Sequence, residues 1–404
     1  MHQPDTVTLD NPARKAPSSA AAPLAGSAAF SVTVHTSLEA AEPVWRELET
    51  PATFTPYQAF DWIRAWHEAG GTEGDLAIIV ITAADRPVAL LPLEMSRRFG
   101  LRRAAFIGAD MGNSDWMMLD PHYVDALTPE RVTDLLRQAA RQAGGIDLVS
   151  LYDQPPEWQG LANPLLAFPH QPGPDHYYFG QLDARGTFDR FDDKRLGNLK
   201  RRMRKLAALL GPVELRAATT PEAVAQVQAA FIEQRAARFA QMGIANIFGE
   251  PHFVRFMRDG AIAALGAERP ALIFHALYAG ETIVATSCGT FAGTHYSQYI
   301  NATGSGEAAK FRLIGILMHE LFKDCAARGA TSIDMGLGDF DYKSDWTAPQ
   351  TAYDGMIPLS AAGQLGGAAL LAGRRAKRMI KQHDQLWAMA KKLRAALARP
   401  SQAA

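Results

Sequence analysis

The chain has 404 residues, a net charge of −1, and 48% hydrophobic against 21% charged residues, which suits a globular core and excludes a fibrous or largely disordered protein. Its length points to two domains or a duplicated one. The two cysteines, Cys288 and Cys325, exclude a disulfide scaffold and lack metal-ligand spacing, and no apolar run reaches the roughly 18 residues of a membrane span. The expectation is a cytoplasmic protein with no metal and no nucleic-acid partner.

Residues 1–28, rich in Pro, Ala and Ser and without a signal-peptide core, read as a disordered leader. "FSVTVHTS" alternates like a strand and "LEAAEPVWRELE" like a short helix. "FTPYQAFDWIRAWHEAGG" is a capped amphipathic helix stopped by Gly70 and Gly71. "DLAIIVITAA" and "RPVALLPLEMSRR" are strands joined by a tight turn at Asp85 and Arg86. "AAFIGADMGNSDWMML" is a strand interrupted by a polar loop carrying Asn113, Ser114 and Asp115. "PERVTDLLRQAARQAGG" is a helix and "IDLVSLYD" a buried strand.

The second half repeats this order after a long helical insert, "RFDDKRLGNLKRRMRKLAALLG" and "PEAVAQVQAAFIEQRAARFAQMG". "PALIFHALYAGETIVATSCGTFAG" is strand, turn, strand. "THYSQYINAT" is the next strand, "AAKFRLIGILMHELFKDCAARG" a helix, and "TSIDMG" the closing strand. The expected division is therefore a leader over 1–28, a first unit over 29–175, a second over 176–360 and a tail over 361–404. From Ala361 onward nine basic residues face one acid, which leaves the rest of the chain at −9. The tail reads as a basic amphipathic helix peripheral to the fold. Its stripe fits either a contact with anionic lipid or packing on the protein's own surface.

In the second unit the strand meets its helix through Gly304-Ser305-Gly306, a link the first unit lacks. Glycines before a helix N-terminus let backbone approach a phosphate. "GSGEAA" also fits a dinucleotide fingerprint, but that fold needs an apolar strand buried on both faces. "THYSQYINAT" is polar and aromatic, and follows strands whose tight turns make them antiparallel.

The order meander, glycine loop, helix, strand resembles the GNAT N-acetyltransferase fold, and two such units in tandem resemble its Fem-like branch. "FTPYQAFDWIRAWHEA", "LGNLKRRMRKL" and above all "IDMGLGDFDYKSDW" are similar to patterns of the CelD/BcsL-like acetyltransferases of cellulose and exopolysaccharide synthesis. The resemblance spans roughly Phe30 to Pro358. It implies an α/β (α+β) protein of two GNAT-like units, with mixed, mostly antiparallel sheets flanked by helices. The second unit would be catalytic, with acetyl-coenzyme A as co-substrate and a small-molecule or glycan acceptor.

Under that resemblance the exit of the last strand supplies the chemistry. Asp339 or Asp341 is the base, Tyr342 the proton donor for sulfur and Lys343 the charge stabiliser. Asn301, Gly304, Ser305, Gly306 and Lys310 bind the coenzyme, although the leading Gln or Arg of the usual Gln/Arg-x-x-Gly-x-Gly/Ala loop is missing before Gly304. Arg202, Arg235, His295, Tyr299 and Asp341 serve the acceptor. Two other classes stay open at this point: aminoacyl transfer from aminoacyl-tRNA, and a non-catalytic scaffold in a polysaccharide synthesis complex.

Overall fold

The computed structural model describes residues 29–390 except Phe99, Asp110, residues 189–191 and 243–245, and Asp384. The expected leader and the end of the expected tail lie outside the described residues.

The first unit begins β1 (Phe30–His35), α1 (Leu38–Glu49), α2 (Phe60–Glu68), β2 (Asp75–Ala83), β3 (Arg86–Arg98) and β4 (Leu101–Phe106). It continues with β5 (Met118–Leu119), α3 (Pro129–Gln142), β6 (Leu148–Gln154) and a small hairpin of β7 (Glu157–Trp158) and β8 (Leu161–Ala162). The chain then runs β9 (His170–Gln181), α4 (Asp193–Leu210), β10 (Val213–Ala217), α5 (Pro221–Met242) and α6 (Pro251–Ala263). The second meander is β11 (Ile273–Ala279), β12 (Thr282–Ala292) and β13 (His295–Thr303), followed by α7 (Leu313–Ala327) and β14 (Ser332–Leu337). A single turn α8 (Asp341–Ser344), β15 (Gln350–Pro358) and α9 (Ala361–Lys381) close it.

Local chemistry explains most boundaries. Ser37 and Thr128 cap α1 and α3 by accepting from the backbone of Ala40 and Arg131, and Asp192 caps α4 from Arg195. The β2–β3 turn sits on Ala84 and Asp85, both at positive φ (48° and 64°), one residue earlier than expected.

Among the described residues one sheet of 13 strands runs β1-β2-β3-β4-β6-β15-β9-β14-β13-β12-β11-β10, with β5 beside β3. Each unit has one parallel pair, β4 with β6 and β13 with β14, bridged by α3 and α7. At the centre β15 pairs with β6 of the first unit and β9 with β14 of the second, and β15 and β9 pair with each other. The expected boundary between residues 175 and 176 falls inside β9. On one face α2 meets α6, with Trp62 against Phe256 (5.0 Å) and Trp66 against Phe253 (5.4 Å), so both units share a core. On the other face α3 covers the first unit and α7 the second.

The tail differs from the expectation over its first half. A Cβ on Gly363 would lie 1.7 Å from the Asp147 carbonyl, and one on Gly367 would lie 2.1 Å from Met356 Sδ, so α9 is seated on β6 and β15. Arg374 grips Asp354 through two hydrogen bonds of 2.6 Å, and Lys381 grips Asp175 at 2.6 and 2.8 Å. Arg375 and Arg378 also donate inward, to Gln171 and Gly173. The helix is part of the fold because its basic side chains are used on the sheet. Lys391, Lys392, Arg394 and Arg399 lie outside the described residues.

Candidate active site

The site forms where β13 and β14 part. They pair in parallel only over His295–Ser297 and Ser332–Asp334. Beyond that, Asp334 Oδ1 accepts from its own strand at Gly336 N (2.7 Å) while Oδ2 binds His295 Nε2 (2.9 Å). Gly336 and Gly338 then take φ of 67° and 96°, conformations open to glycine, and turn the chain out of the sheet. Asn113 of the first unit fills the room left at Gly336, where a Cβ would meet its Nδ2 at 2.8 Å. Asn113 also donates to Tyr57 OH (2.6 Å), which shares a hydrogen bond with Ser297 (2.5 Å). The first unit thus buttresses the split.

A cavity of about 530 Å³ occupies the gap. Its floor is Gln298 to Thr303 of β13 with Met335 and Leu337 of β14, and α8 closes it with Tyr342 and Lys343. The first unit contributes Asn113, Tyr152 and Asp153, α5 contributes Arg235 and Arg238, and α9 contributes Arg374 and Lys377.

Five of the expected residues come together here. Lys343 Nζ donates to the carbonyls of Gly336 (3.1 Å) and Leu337 (2.7 Å), and burial pushes its ammonium down to about 8. Tyr342 OH accepts from Asn301 Nδ2 (3.0 Å), and burial raises its phenol above the ordinary value. Tyr299 lines the floor and packs on Trp62 (5.0 Å). Arg235 lies among the rings of Phe231, Phe239 and Phe248; its Nε has no hydrogen-bond partner among the described residues, and burial pushes the guanidinium down to about 10.

The others stand apart. Asp339 Oδ1 binds His176 Nδ1 (2.9 Å) and accepts from Tyr178 OH (3.1 Å), while Oδ2 accepts from Gln382 Nε2 (3.0 Å). Burial works against its charge, but those bonds hold the carboxyl below its usual range. Because Gly338 turns it outward, it is not among the cavity residues. Asp341 is exposed on the far side of the α8 turn. His295 is a core residue, bonded to Ser332 Oγ (2.8 Å) and Asp334 and edge-on to Trp158 (4.4 Å). Arg202 is half-buried on α4, outside the cavity lining.

The glycine loop also needs correcting. Gly304–Gly306 does not open the helix: a 3₁₀ turn over Glu307–Phe311, carrying exposed Lys310, intervenes. Arg312 then takes φ 54°, and α7 starts at Leu313 without a side-chain cap. Thr303 and Ile314 both line the cavity, so its far end reaches the first turn of α7. Arg312-Leu313-Ile314-Gly315 supplies the Arg-x-x-Gly half of the usual loop, and space is open where a Gly315 side chain would stand. Reading on from Gly306 would have found it. Asp153, Arg374 and Lys377 carry no local signal, since each lies in another unit or in the tail.

Residues 193–344 match the acetyltransferase (GNAT) domain family. The fold is similar to a conserved protein of unknown function from Bacteroides thetaiotaomicron, at 10% identity and a TM-score of 0.51 over 81% of this chain and 100% of that one. It is similar to FemX at 11% identity and a TM-score of 0.53, over 83% and 98%. A tandem GNAT protein of clavulanic acid biosynthesis aligns at 11% identity and a TM-score of 0.43, over 82% and 99%. No curated protein matches in sequence. The second unit carries a GNAT acetyltransferase domain.

Proposed function

We propose that the chain moves an acyl group, acetyl in the first instance, from a coenzyme A thioester to a hydroxyl or amine of a sugar or polysaccharide precursor. The observation that carries this reading is the parting of β13 and β14 over a cavity that ends at the uncapped start of α7. Phosphates suit that end: α7 begins without a side-chain cap, Gly315 leaves the approach open, and Arg235 Nε has no hydrogen-bond partner among the described residues. Within the cavity Lys343 presents positive charge to the thioester oxygen, and Tyr342, whose phenol burial keeps protonated at neutral pH, is placed to protonate sulfur.

The acceptor comes from the first-unit side, past Asn113 and Tyr152. Lys377, beside an Arg374 already paired with Asp354 and Asp153, offers a cation there for a nucleotide sugar or an acidic glycan. The polysaccharide link draws on the resemblance of three local patterns to those of the CelD/BcsL-like acetyltransferases. Incubation with acetyl-coenzyme A and a panel of nucleotide sugars, followed by thiol release and product mass, tests it. The expected result is one sugar class that gains an acetyl group. Transfer from an aminoacyl-tRNA, with none from acetyl-coenzyme A, would replace this reading with the Fem-like one.

A further inference from the structure

Among the described residues two carboxylates line the cavity, Asp153 and Asp175. Asp175 is taken up by Lys381 through both oxygens. Asp153 is not. It lies at the exit of β6 with φ 51°, a left-handed conformation that a non-glycine residue holds only when its surroundings impose it. The surroundings are Asp354, whose Oδ1 accepts from Asp153 N–H (3.3 Å), and Arg374, which clamps Asp354 and reaches Asp153 Oδ1 at 3.3 Å. Asp153 Oδ2 has no hydrogen-bond partner among the described residues. The side chain borders both the main cavity and a small void behind Asn113, Trp158 and Asp334. It is thus a half-buried carboxylate in a left-handed backbone, with one oxygen unpartnered among the described residues, lining the same cavity as Tyr342 and Lys343.

We propose that Asp153, supplied by the first unit, is the general base that takes the proton of the acceptor's hydroxyl or amine. The inference rests on the acyl-transfer reading above. As the acceptor O–H or N–H bond breaks, its proton passes to Asp153, and the electron pair left on oxygen or nitrogen bonds to the thioester carbonyl carbon. The carbon–sulfur bond breaks with its pair on sulfur, which takes the Tyr342 proton. The proton on Asp153 returns to Tyr342 through water. One ester or amide and one free thiol result, and both side chains are restored.

Burial pushes the Asp153 carboxyl up to about 7 against the pull of Arg374; Asp354 and Asp175 add to the rise, and Lys377 opposes it. Tyr152 and Lys343 face the same cavity, and Tyr177 and Asp334 the void behind it. A base acts when deprotonated, so turnover should rise with pH through a midpoint near 7.

The probe is single-turnover hydrolysis of acetyl-coenzyme A, with water standing for the acceptor hydroxyl, read as thiol release from about pH 5.5 to 9. Asp153→Asn suits the left-handed backbone. It is expected to lose about 10²–10⁴-fold in rate and the rising limb, with coenzyme affinity and melting temperature kept. Asp153→Glu should recover part of the rate with the limb displaced. Full rate with the limb intact in Asp153→Asn, or loss of the limb in Asp339→Asn instead, overturns the assignment. A chain that binds no acetyl-coenzyme A and releases no thiol overturns the acyl-transfer reading and this inference together.

Discussion

Lys343 keeps an amine with 2% exposure, held by two backbone carbonyls and no carboxylate. Its ammonium is pushed from an ordinary 10.5 to about 8 by burial, so the charged form costs on the order of 3 kcal/mol in the folded chain. The sign follows. Between these two values the unfolded chain still binds a proton that the folded one has released, so this contribution makes stability rise with pH across that window. Melting of the wild type and Lys343→Met, compared from about pH 7 to 10, should show the wild type gaining on the variant as pH rises. Parallel curves would mean that the amine is solvated. At this scale the sequence was half legible. The two glycines marked the strand exit, and Tyr342 and Lys343 do reach the cavity. Nothing local revealed that one turn of helix would point Asp341 to solvent, or that Gly338 would hand Asp339 to His176, Tyr178 and Gln382.

Among the elements, α7 and α9 carry the testable claims. The phosphate end of the site is set by the start of α7, not by Gly304–Gly306. Gly315 is helical and has open space beside it, so Gly315→Val should fold. Its branched side chain would stand in the approach to the uncapped start of the helix. The thermal shift given by acetyl-coenzyme A should shrink or vanish in Gly315→Val and survive in Gly306→Val. The reverse order would return the phosphate to the glycine loop. For α9, even a methyl group at Gly363 meets the backbone of Asp147. Gly363→Ala should therefore cost about 1–3 kcal/mol, a fall of at least a few degrees in melting temperature. A melting temperature unmoved by Gly363→Ala would restore the peripheral helix read from the sequence.

For the molecule as a whole, the repeat was visible because each meander buries its strands by local hairpins and is followed by a helix. The joining of the units was not. Near its start β9 carries Pro172, Gly173 and Pro174, which look like a loop, and both β9 and β15 find partners far away in the chain, so neither carries a hairpin signal. These strands carry the sheet through the centre and bring Asp153, Arg374 and Lys377 to a cavity whose floor belongs to the second unit. The central claim is that the coenzyme thioester lies in that cavity, between the parted strands. Titration calorimetry of the full chain with acetyl-coenzyme A tests it most directly. One site per chain is expected, with affinity strongly reduced in Gly315→Val and in Arg235→Ala. No binding heat, or binding unchanged in both variants, would contradict it.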